Sequence, residues 1–105
     1  LNFKAYLVKN KAINTNGDDE IQMSEASSFK DSIDCRSQEI INLQGIEAFT
    51  SLTYLNCGWN QITELDVSKN LALRFLICPD NKLSLNHVLS VAWSNHSQSA
   101  CDIGL

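Results

Sequence analysis

Proline occurs once in these 105 residues, glycine four times and histidine twice, and each scarcity excludes something. So little proline and glycine rules out a collagen-like or low-complexity chain. The glycines form no phosphate-cradling loop, and no serine stands in a G-x-S-x-G elbow, so neither nucleotide chemistry nor a serine hydrolase has its usual groundwork. Eight Lys and Arg against twelve Asp and Glu leave a net charge of −4 with the basic residues scattered. That balance makes nucleic acid and anionic membrane poor partners. The longest apolar stretches, 71–78 and 88–93, are broken by Arg74 and Ser90 and fall well short of the roughly 20 residues that a membrane-spanning helix needs. There is no initiator Met and no charged-then-apolar leader before Leu1. This start fits a mature form or an excerpt of a longer chain. At 44% hydrophobic residues the chain has enough apolar material for one compact domain.

What is present is a repeat. The four cysteines, Cys35, Cys57, Cys78 and Cys101, are spaced by 22, 21 and 23 residues, and so even a spacing points to internal repetition before it points to disulfides. Leu52-Thr-Tyr-Leu-Asn-Cys-Gly-Trp-Asn-Gln-Ile62 and Leu73-Arg-Phe-Leu-Ile-Cys-Pro-Asp-Asn-Lys-Leu83 both read L-x-x-L-x-C-x-x-N-x-(I/L). Between them Ile62-Thr-Glu-Leu-Asp-Val-Ser-Lys-Asn70 repeats the grammar with Val67 in the cysteine slot. A degraded copy lies upstream, where Ile33, Cys35, Ile40 and Leu43 hold the apolar slots and Gln38 replaces the Asn. In a short strand, alternating residues such as Leu55 and Cys57, then Leu76 and Cys78, point inward and stack on the same slots of the next unit. Cysteine there acts as a small buried apolar group. Asn60, Asn70 and Asn81 fall where the chain must turn, and a side-chain amide can satisfy the backbone groups that a turn leaves unpaired. This use accounts for part of the eleven Asn.

These motifs over 33–85 resemble the bacterial leucine-rich repeats of nested 21-residue type, found in surface proteins of Bacteroidetes-like bacteria and similar to internalin-type repeats. The resemblance implies an α+β chain: a short solenoid with a parallel β-sheet on one face, acting as a noncatalytic protein-interaction or adhesion module.

The first third is different. Phe3, Tyr6, Leu7 and Ile13 share one face of a helical-period segment over 2–13. The following Asn14-Thr-Asn-Gly-Asp-Asp-Glu-Ile-Gln-Met-Ser-Glu25 fits a twelve-position calcium loop. Asn14, Asn16 and Asp18 take positions 1, 3 and 5, Glu20 takes position 7 through its carbonyl, Ile21 position 8 and Glu25 position 12. The loop resembles a single EF-hand or dockerin-like loop, with two departures. Asn14 supplies an oxygen without a charge, and Asp19 stands at position 6, where a Gly with positive φ normally makes the turn. With ligand charge reduced to Asp18 and Glu25, any calcium affinity falls at the weak end, about 10⁻⁴–10⁻³ M. The competing reading is a relic loop that keeps its shape through Asx-type hydrogen bonds and holds no ion.

For function, the solvent side of the strands draws attention. Stacked units place Tyr54 beside Phe75 and Asn56 beside Ile77, with Gly58 and Pro79 following and Trp59 next in sequence. Asp34 and Arg36 of the degraded unit border this exposed aromatic and aliphatic patch, which is the kind of surface that marks interaction sites. The ligand expected there is a protein or a glycan; a homodimer through the patch, or cover by the C-terminal segment, is the alternative. A second possibility is that the chain is the structural N-terminal cap of a larger surface array. A third is a metal site built from the cysteines with His87 and His96, which the spacing disfavours because zinc ligands usually come in pairs about two to four residues apart. Without an activated nucleophile, the sequence does not read as an enzyme.

The repeat fails after Leu83. Val88, Leu89, Val91, Ala92 and Trp93 suggest a short helix with Ser84 as N-cap and Asn86 as a competitor, and Cys101 is expected to begin a capping strand over 101–105, the alternative being an accidental spacing. The sequon Asn95-His-Ser97 carries little weight. The expected organisation is one domain: a helix and calcium-loop-like cap over 1–30, repeat units over 31–85 and a C-terminal cap over 86–105. The resemblance and the Asn- and Ser-rich acidic surface favour the extracellular space or cell surface, where buried thiols would persist because no partner comes within bridging distance.

Overall fold

The computed structural model describes residues 3–83 together with the backbone of strand 98–101. Helix α1, Phe3–Lys9, is followed by a polar loop and by helix α2, Met23–Ser28. Strand β1, Ser32–Asp34, then opens a sheet continued by β2, Tyr54–Asn56, β3, Phe75–Cys78, and β4, Gln98–Cys101. A 3₁₀ turn at Ile46–Ala48 lies on the connection between β1 and β2. The architecture is α+β with a four-stranded sheet in the order β1-β2-β3-β4, every neighbouring pair parallel.

Register follows the repeat. Ile33 pairs with Leu55 and Leu55 with Leu76, while Tyr54 lies beside Phe75 and Asn56 beside Ile77. Inward residues of successive strands therefore stack in columns. Ile33, Cys35, Leu55, Cys57, Leu76 and Cys78 are all buried, as are the connection residues Ile40, Ile62 and Leu83 in the closing slot of the motif. The degraded first unit is thus a full member of the core. Its Gln38 departure falls at a position outside the buried set.

The asparagines do the work expected of turn residues, Asn60 and Asn70 on buried ground and Asn81 half-buried. Asn60 donates from Nδ2 to the carbonyls of Cys35, Cys57 and Gly58, and its Oδ1 accepts from the N–H groups of Gln38 and Ile40. Asn81 donates to the carbonyls of Cys57, Cys78 and Pro79 and accepts from Ile62 N–H. Asn70 donates to Ile46 and Phe49 of the preceding unit. Each amide joins two units, so the turn and the stacking are fixed by the same side chain.

The cap closes one side of this sheet. Phe3, Leu7, Ile13 and Ala26 bury themselves against the first unit, and Phe29 meets Phe49 edge-on with centroids 6.5 Å apart. The Tyr6 hydroxyl is hydrogen-bonded by the Asn10 side chain and the backbone of Asp34, which occupies part of the β1 edge. Covering an edge in this way removes a site for unwanted strand pairing.

Several expectations are corrected. The helix ends at Lys9 rather than Ile13, because the Asn10 side chain accepts from Ala12 N–H and competes with the helical bond. Asn56 shares the outer face of β2 with Tyr54 but is not exposed there: it is 6% exposed, with its Oδ1 accepting from Gly58 N–H. Cys101 does not begin a strand but ends one, paired with Cys78, so its spacing belongs to the repeat. Cys78 is not a free thiol but is disulfide-bonded, whereas Cys35 and Cys57 are free and buried. The expected helix around 88–93, its Ser84 cap, the sequon, both histidines and residues 102–105 lie outside the described residues.

Candidate functional site

Alternation in β2 and β3 puts Tyr54 and Phe75 on the face away from the core. Their rings are tilted by 44° with centroids 6.2 Å apart, within the range of a favourable aromatic pair. Phe75 is 36% exposed and Ile77 partly exposed beside it. At the β1 end Arg36 Nε lies 3.0 Å from Asp34 Oδ1, with both side chains about half exposed, which makes it a rim pair of little energetic weight. Trp59 is 49% exposed and follows Gly58 directly. Of the five sequence-expected contact residues, Tyr54, Phe75, Ile77 and Trp59 are accessible and Asn56 is not.

Two features of this region were not legible beforehand. Gly58 is required sterically, since a Cβ there would stand 2.9 Å from Pro79 Cδ and 3.3 Å from Asn56 Oδ1. Ser37, Trp59 and Asp80, each two residues after a cysteine, all have left-handed φ, at 56°, 53° and 54°. Asp is common in that conformation and Trp is not; the recurrence of the slot in the alignment was the available signal.

The polar loop holds the second group of candidates. It contains two Asx turns, Asp18 N–H to Asn16 Oδ1 and Glu20 N–H to Asp18 Oδ1, both at 3.1 Å. The Glu25 carboxylate reaches back across the loop, accepting from Gln22 N–H at 2.8 Å, Asn16 N–H at 3.1 Å and the Thr15 hydroxyl at 3.2 Å. Asp18 Oδ2 accepts from the amides of Gln22 and Asn16. These bonds lower both carboxyl pKa values, chiefly through Glu20 N–H for Asp18 and Gln22 N–H for Glu25. Asn14 is buried; its Nδ2 bridges the carbonyls of Val8 and Asp18, and its Oδ1 has no hydrogen-bond partner. The Glu20 carboxylate is turned outward to Lys4 Nζ at 2.7 Å.

Asn14, Asn16, Asp18 and Glu20 are thus on one loop with Glu25 reaching it from the first turn of α2, but its turn differs from the expected one. Positive φ occurs at Gly17, at 75°, and Asp19 is absent from the positive-φ residues. Among the described residues no group of three or more His, Cys, Asp or Glu side chains is placed to hold a metal ion. A cleft of about 540 Å³ opens beside the loop, lined by Thr15, Ser24, Glu25 and Phe29 among others.

The thiols carry no sign of reactivity. Burial, and to a lesser extent the nearby Asp34 carboxylate, pushes Cys35 up to about 12. Burial pushes Cys57 up as well. A nucleophilic cysteine needs the opposite shift. No helix among the described residues is long and apolar enough to cross a membrane.

Fold and face together describe stacked, in-register strand units that carry an exposed aromatic pair. Over 39 residues the chain is 49% identical to Internalin J of Listeria monocytogenes serotype 4b (strain F2365). That stretch spans 37% of this chain and 4% of the length of that protein, and it is consistent with a leucine-rich repeat protein. No family model matches the chain, and no solved structure matches it.

Proposed function

We propose that the chain is a leucine-rich repeat solenoid segment with an N-terminal cap, and that it works as a noncatalytic module binding a protein through its strand face. The observation that carries this reading is the Tyr54 and Phe75 pair, with Ile77 beside it, on the outer side of strands whose inner side is the core. Large aromatics exposed on a rigid sheet offer much contact area at little entropic cost. The partial likeness to Internalin J supports the repeat assignment. An extracellular or cell-surface setting agrees with the disulfide at Cys78, since such bonds persist in oxidising compartments. The test is a Tyr54→Ser, Phe75→Ser double variant compared with the parent chain on protein and glycan arrays. The reading expects protein spots bound by the parent and lost by a folded variant. Identical profiles overturn it; selective glycan binding replaces protein with glycan, and self-association lost in the variant replaces it with a homodimer.

A second, calcium-binding reading applies to the cap loop. It is supported by Asp18 and Glu25 sharing Asn16 and Gln22 as donors and by the buried Asn14 Oδ1 without a partner, an oxygen that a cation would satisfy. In this reading the Asn14, Asn16, Asp18 and Glu25 side chains and the Glu20 carbonyl supply the oxygens. Bound calcium would bring positive charge to carboxylates now held by N–H and hydroxyl donors. A rise in melting temperature in millimolar calcium, absent in Glu25→Gln, is the expected result. An unchanged melt would leave a loop closed by its own hydrogen bonds.

A further inference from the structure

Trp59 occupies a backbone conformation that suits other residues better. Its slot is left-handed in three successive units, and in the first two a main-chain bond to the next unit holds it: Ser37 N–H donates to Gly58 at 3.1 Å and Trp59 N–H to Pro79 at 2.9 Å. A bulky side chain is disfavoured at positive φ, where Asn, Asp and Gly are tolerated. Burial of the indole does not account for the choice, since the residue is 49% exposed. Asp80, in the same slot of the next unit, is also exposed. It follows Pro79 directly, so the bond from Trp59 N–H to Pro79 brings the two slots side by side.

An aromatic face next to a carboxylate is the chemistry that receives a cationic side chain, because the ring quadrupole and the negative charge attract it together. The net charge of −4 favours an approaching basic surface in the same sense. We propose that Trp59 and Asp80 form a receptor for a lysine or arginine side chain presented by the protein partner. This inference rests on the strand-face reading only for the partner being a protein; the two contact residues lie beyond the Tyr54 and Phe75 pair.

The probe is a capped pentapeptide, Ala-Leu-Arg-Leu-Ala, titrated into the isotope-labelled 105-residue chain alongside the same peptide with Gln for Arg. The Trp59 indole N–H signal, assigned by its loss in Trp59→Phe, reports binding. The proposal expects a saturable shift, about fivefold tighter for the Arg peptide than for its Gln counterpart. Asp80→Asn, which keeps the backbone preference and removes the charge, should abolish that difference, and Trp59→Asn should weaken the Arg peptide to the Gln level, as read on neighbouring backbone signals. Equal affinities for the two peptides, no shift with either, or selectivity unchanged in Asp80→Asn would overturn it. The two readings separate in the Tyr54→Ser, Phe75→Ser variant. Array binding retained there with Arg selectivity intact defeats the strand-face reading alone, whereas array binding lost with no Arg preference in the parent defeats this receptor alone.

Discussion

In the repeat units the side chains that fix the turns are amides, buried at Asn60 and Asn70 and half-buried at Asn81, whereas in the cap loop exposed carboxylates share that work with Asn14 and Asn16. Asn60 spends its whole amide on five backbone groups from two units and is 7% exposed. Asp18 and Glu25 also accept several bonds each, but from groups within their own loop. The contrast separates two kinds of polar organisation. A buried amide ties units together and leaves unsatisfied groups if removed, while an exposed carboxylate shapes a local loop and has water in reserve.

The largest test of that contrast is Asn60→Ala, which leaves three carbonyls and two N–H groups without the partner they have. A loss of about 3 kcal/mol is expected in denaturant unfolding. Asn60→Asp should be about as damaging despite its unchanged size, because it sets an oxygen against three carbonyls. The reverse exchange in the cap, Asp18→Asn, should be far milder. If the two exchanges cost the same, the contrast fails.

Gly58→Ala is next in size. The added methyl meets Pro79 Cδ at 2.9 Å, and a loss of roughly 1–3 kcal/mol is expected from overpacking. A thermal melt on the purified variant measures it. An unchanged melt would show that the turn after Cys57 yields more readily than the bond from Trp59 N–H to Pro79 implies.

The smallest effect is the pH response of the cap. Asp18 and Glu25 have folded pKa values below their ordinary 3.8 and 4.5, chiefly through Glu20 N–H and Gln22 N–H respectively. Their contribution is therefore complete above those ordinary values and is lost as pH falls through the lower folded ones. Asp66, held down first by Ser68, adds to the same trend. Cap resonances should shift before those of the Asn60 and Asn81 turns as pH drops from 5 to about 2. Simultaneous change in both regions would contradict the separation.

Much of the repeat was legible because burial repeats with the chain. Leu55 with Leu76 and Tyr54 with Phe75 follow from an offset of 21, and parallel stacking converts that offset directly into register. Asn56 misled because alternation assigns a face without counting local bonds, and its amide had a nearer use in capping Gly58 N–H. Left-handed φ at Trp59 was hidden because a Trp gives no conformational hint that the slot shared with Ser37 and Asp80 is positive. In the cap, loop spacing put Asp18 and Glu25 near one another in sequence, and both accept from Asn16 and Gln22. It did not reveal that Gly17 rather than Asp19 makes the turn, nor that Tyr6 reaches the β1 edge. Those depend on contacts between segments that share no period.

The most direct test of the account compares three folded chains on one protein array: the parent, Tyr54→Ser with Phe75→Ser, and Glu25→Gln. The account predicts that protein binding disappears in the double variant and survives in Glu25→Gln, because recognition belongs to the strand face and the cap only supports it. Binding that survives the loss of both aromatics and disappears with Glu25 would contradict it and place recognition in the cap.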